Sequence, residues 1–83
     1  MDSQVINRKI NNYNLAIKNI DLAITKYKES LVCLEKIKGI KDCNVLISNI
    51  ENKIVELNKF KNQTINNINK MKNELKTIEE NNR

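Results

Sequence analysis

Few residues in this chain could do covalent or coordination chemistry, and their spacing narrows the options further. There are two cysteines, Cys33 and Cys43, and no histidine. Zinc and related metals draw on sets of three or four Cys and His ligands, so no metal site of that kind is expected and no cofactor is implied. A disulfide needs the two Cα atoms within about 7 Å. The heptad pattern described below puts Cys33 at an outer c position and Cys43 at an inner d position, so regular helices would not face them together. Two small, partly buried thiols are the expectation, with a staple across the tip or an intermolecular bridge as the other reading.

Catalysis needs a positioned acid, base or nucleophile in a water-poor pocket. Every Asp and Glu of this sequence falls outside the inner a and d positions, so no carboxylate is forced into a low-dielectric seam. No enzyme is expected. Asn62-Gln63-Thr64 spells a glycosylation sequon, but it sits mid-helix with Thr64 at an inner position, which makes it a chance match. Lys36, Lys38 and Lys41 cluster where the chain is expected to turn. They read as a solvated basic tip, or as a contact for an acidic partner or phosphate.

The elements that would position these groups are legible from periodicity. Apolar residues recur at 6, 10, 13, 17, 20, 24, 27, 31 and 34, with spacings that alternate between four and three. That is a heptad repeat. Ile10, Ile17, Ile24 and Leu31 take position a; Ile6, Tyr13, Ile20, Tyr27 and Leu34 take position d. The pattern resumes at 43, 47, 50, 54, 57, 61, 64, 68, 71, 75 and 78. Only Lys61 and Thr64 are polar in that second series, and Lys61 is expected to run past the seam toward Asp21.

The two series are out of phase. Leu34 and Cys43 are nine residues apart, not seven, and carrying the first phase forward would put Lys38 and Lys41 in the core. Between them lies the only glycine, Gly39, a natural residue just past a helix end. The sequence therefore predicts an all-α fold, a single unit over 1–83, made as an antiparallel two-helix coiled-coil hairpin. Its helices are expected at 3–38 and 43–80 with a turn at 39–42. Asp2 or Ser3 would cap the first helix, and Asp42 or Asn44 the second. Folding about residue 40 sets Leu34 beside Ile47, Tyr27 beside Ile54, Ile24 beside Leu57 and Ile6 beside Leu75. On the flanks it sets Lys9 beside Glu74, Lys28 beside Glu51, Ala23 beside Phe60 and Ile37 beside Leu46.

Chains of 83 residues bury a limited share of their surface, and a two-helix seam alone leaves little margin. Asn, Ile and Lys make up 42 of the residues, a bias toward AT-rich codons that removes the asparagines as functional evidence. Beyond the seam, Ala16, Ala23, Ile37, Leu46 and Phe60 line the g flank. A row continuous with the core is the surface a third and fourth helix would cover. The expected function is a helical protein–protein interaction subunit, homo- or hetero-oligomeric, completed as a four-helix bundle. The formal charge of +5 admits a small basic regulator of nucleic acid. However, the charges are mixed in sign, and no aromatic stacking platform or groove-entering helix is evident. No apolar run is long enough for a membrane span or a signal-peptide core. No membrane insertion and a cytoplasmic location are therefore expected by default, with export lacking a cleaved signal as the other route.

In outline the chain resembles the small helical hairpins of bacterial type VII secretion, the Trp-x-Gly family and the short partners of LXG toxins. Where that family places Trp-x-Gly at the turn, this sequence has Ile37-Lys38-Gly39 and matches only the glycine. Leu75-x-x-x-Glu79 is its nearest counterpart to the family's Tyr-x-x-x-Asp/Glu export signal. The resemblance implies paired hairpins and a secretion adaptor or targeting partner for a larger toxin or effector.

Overall fold

A computed structural model describes residues 3–82. Two helices account for almost all of them: α1 (Ser3–Glu35) and α2 (Cys43–Asn81). They lie side by side as a helical hairpin, in a body 65 × 15 × 13 Å. Among the described residues there is no strand.

The heptad explains the pairing. Apolar residues spaced by three and four form a stripe along each helix, and two such stripes bury each other. Every inner position from Ile6 to Leu34 and from Cys43 to Ile78 is buried or half-buried. Off the seam, only Ser3, Ala16, Ala23 and Ile65 among the described residues are not exposed. A hydrophobic cluster lies at the open end of the hairpin. There Ile6, Ile10 and Ile68 form a buried cluster with Tyr13, Ile17, Met71, Leu75 and Ile78 packed around it.

The middle of the seam holds the two polar residues. Thr64 is buried, and its hydroxyl donates to the carbonyl of Phe60 one turn back, at 2.9 Å. Lys61 runs out of the seam as expected, and its Nζ lies 2.7 Å from Oδ1 of Asp21 on the opposite helix. The flank pairs Lys9–Glu74 and Lys28–Glu51 do not form. The ion pairs among the described residues are Lys61–Asp21 and two local ones, Lys38–Glu35 and Lys53–Glu56, each at 3.8 Å.

The connection differs from the sequence-based expectation in two respects. First, α1 ends at Glu35 and not near residue 38. The chain tightens there, with Lys36 N–H donating to the Cys33 carbonyl and Ile37 N–H to that of Leu34, the three-residue bonding common at a helix terminus. Two further tight turns follow, closed by Ile40 N–H to Ile37 O at 2.9 Å and Cys43 N–H to Ile40 O at 3.1 Å. Stopping early keeps Lys38 off the seam line. Second, Gly39 is not the left-handed cap. Its φ is not positive, and the left-handed residue is Asp42, at φ 68°. Aspartate is one of the few residues that tolerates this region. Asp42 occupies the cap position of α2, but its side chain makes no capping hydrogen bond. Of the N-terminal candidates, Ser3 is already helical, and Asp2 lies outside the described residues.

Candidate partner-binding face

In an antiparallel hairpin the g positions of both helices line the same side. A groove of about 400 Å³ lies between the helices, lined by Ala23 and Tyr27 from α1 and by Lys53, Glu56, Leu57 and Phe60 from α2. It runs on into a second one lined by Ala23, Lys26, Tyr27 and Ser30. A third shares Lys26 and Ser30 and reaches Cys33 and Leu34 toward the tip. A fourth, of about 390 Å³, lies at the open end between Lys70, Glu74 and Ile78. Of the four, the central groove takes residues from both helices, with the small Ala23 of α1 and the large Phe60 of α2 at its walls, and the other three are lined by one helix each.

Phe60 stands at the edge of the central groove and is 56% exposed. An exposed phenylalanine beside an apolar depression is surface that a further helix could cover. Ala23 shares the groove with it, and Ala16 is half-buried farther along α1. Leu46 is 52% exposed on the first turn of α2, and Ile37 is 46% exposed. Ile37 carries no helical register, because α1 ends before it. The structure therefore joins Ala23 and Phe60 in one depression and leaves Ala16, Ile37 and Leu46 outside the four grooves. Two residues that read only as seam, Tyr27 and Leu57, also floor the groove. Ile40, at 61% the most exposed large apolar side chain among the described residues, lies in the turn, where no periodicity singles it out.

The groups with chemical potential are dispersed. Cys33 is exposed and Cys43 buried, and both are free thiols. The Cys43 Sγ lies 3.4 Å from the Leu34 carbonyl, as a donor across the hairpin neck. Lys36, Lys38 and Lys41 are exposed at the tip. The sequon threonine is buried and bonded within its helix, whereas Asn62 and Gln63 are exposed. Among the described residues no three Cys, Asp or Glu side chains converge on a possible metal site. No described helix is long and apolar enough to cross a membrane.

The class these features define is a two-helix hairpin with an apolar groove between its helices beside Phe60. No known protein family, curated protein or solved structure matches the chain.

Proposed function

We propose that the protein is a non-enzymatic helical interaction subunit, which packs the g side of its hairpin against a partner helix pair to complete a four-helix bundle. The observation that carries this reading is Phe60, more than half exposed at the lip of an apolar groove that continues the seam. Packing against a second pair of helices would cover Phe60, Tyr27 and Leu57 together, which an isolated hairpin leaves wet. Aromatic residues seated in such depressions dominate interface energetics.

Sedimentation of the wild-type chain, Phe60→Asp and Asn62→Asp tests this. The two substitutions lie two residues apart and add the same charge, one on the g side and one on an outer face. Phe60→Asp should weaken assembly strongly, and Asn62→Asp should leave it unchanged. Equal behaviour of the two variants, or a wild-type monomer with a sharp, concentration-independent melt, would sink the reading.

A further inference from the structure

We infer that the partner helix pair is a second copy of this chain, related by a two-fold axis along the rod, so that the two hairpin tips lie at the same end. The inference rests on the proposed g-side interface and adds the identity and direction of the partner.

Ala23 and Tyr27 share a groove with Lys53, Glu56, Leu57 and Phe60, and Asp21 meets Lys61. Residues of the two helices therefore lie level when their numbers sum to about 82. Turning a second hairpin by 180° about the long axis lays its α2 over α1 of the first at unchanged levels. Ala23 then lies opposite Phe60 of the second copy, a small residue under a large one, and the reverse holds across the axis. Lys26 lies opposite Glu56, and Lys9 opposite Glu74. Within one chain, Lys9, Lys26 and Glu74 have no ion-pair partner among the described residues. Lys53 falls opposite Ser30, and Lys70 opposite Asn12. No like charges meet.

The alternative two-fold, perpendicular to the rod, points the tips in opposite directions. It lays α2 over α2 about its midpoint near residue 62, and Lys53 then faces Lys70 of the second copy. Phe60 faces a polar stretch around Gln63 instead of Ala23. Charge and shape both favour the tip-to-tip arrangement.

The area is adequate. The side of a body 65 Å long and 13–15 Å across offers roughly 900 Å², and a stable interface takes about 800 Å² from each partner. The end of the rod, about a quarter of that, falls well short.

The exposed Cys33 supplies the test. A spin label on Cys33, with Cys43→Ala to leave one thiol, reports the distance between copies. Tip-to-tip packing puts the two labels below about 25 Å, given interaxial distances of 8–10 Å. The opposed arrangement separates them by about 40 Å along the axis. A repeat at Val45→Cys in a chain lacking both native thiols moves the label to the outer surface. The expected result is the short distance in an assembled dimer, with Phe60→Asp raising the dissociation constant at least about a hundredfold at unchanged helix content. A long distance in an assembled dimer would overturn the inference and leave the g-side function standing. A chain still monomeric at about 100 µM would also overturn it; the function reading falls too only if that monomer melts sharply as a self-sufficient fold.

Discussion

Thr64 is only 4% exposed, yet its hydroxyl serves no partner across the seam. It bonds to the carbonyl of Phe60, which its own helix already satisfies. Replacing the hydroxyl by a methyl removes a desolvated polar group and keeps the shape. Thr64→Val should therefore stabilise the hairpin by about 0.5–1 kcal/mol, seen as a melting temperature several degrees higher. The turn gives a second residue-scale contrast. A Cβ on Gly39 would meet nothing within 4 Å, and its φ is not positive. Gly39→Ala should therefore be neutral or stabilising by up to about 1 kcal/mol, through a less disordered unfolded chain. Asp42 holds the left-handed backbone, so Asp42→Ala should cost about 1–2 kcal/mol. Chemical denaturation of the two variants side by side checks the assignment, and a costly Gly39→Ala would contradict it. Sequence could not separate these positions. Glycine is the usual left-handed residue, and which residue turns is decided by where α1 stops.

At the scale of the elements, the heptad made the seam legible residue by residue. A period of three and four admits only one face, and hydrophobic burial acts on that face wherever the chain lies. The expected flank ion pairs were not legible in the same way. Long exposed side chains have many conformers, and a pair between them is worth a few tenths of a kcal/mol, too little to hold Lys9 to Glu74. Lys61–Asp21 forms because Lys61 starts at an inner position and has one direct way out. Its coupling should measure about 0.3–1 kcal/mol in a double-mutant cycle with Lys61→Ala and Asp21→Ala and should shrink with added salt. Packing quality along the seam was also beyond periodicity, which assigns equal weight to every layer. The structure gathers the buried Ile6, Ile10 and Ile68 into one cluster at the open end, whereas Leu34, near the tip, is only half-buried. Ile6→Ala should therefore cost about 2–4 kcal/mol, and Leu34→Ala distinctly less, with loss of helical circular dichroism in denaturant as the readout. Equal costs would mean that the cluster at the open end is no tighter than the neck.

For the whole molecule, the decisive quantity is how much stability belongs to the chain and how much to what covers it. The seam is one layer of side chains deep, and among the described residues ten large apolar ones, Phe60 included, remain exposed around it. A fold completed by a second copy couples its melting to concentration, because dilution favours the separated chains. A hundredfold increase in concentration adds about 2.7 kcal/mol per dimer, or half of that per chain. For a chain of this size 1 kcal/mol moves the midpoint by about 4–8 °C, so the melting temperature should rise by about 5–10 °C between roughly 1 and 100 µM. Phe60→Asp should flatten this dependence and melt near the dilute wild-type value at every concentration, because it removes the contact and leaves the seam intact. Asn62→Asp should keep the wild-type slope. If the wild-type midpoint stays constant over the same range, the two helices are sufficient alone, and the exposed g side contributes nothing to folding.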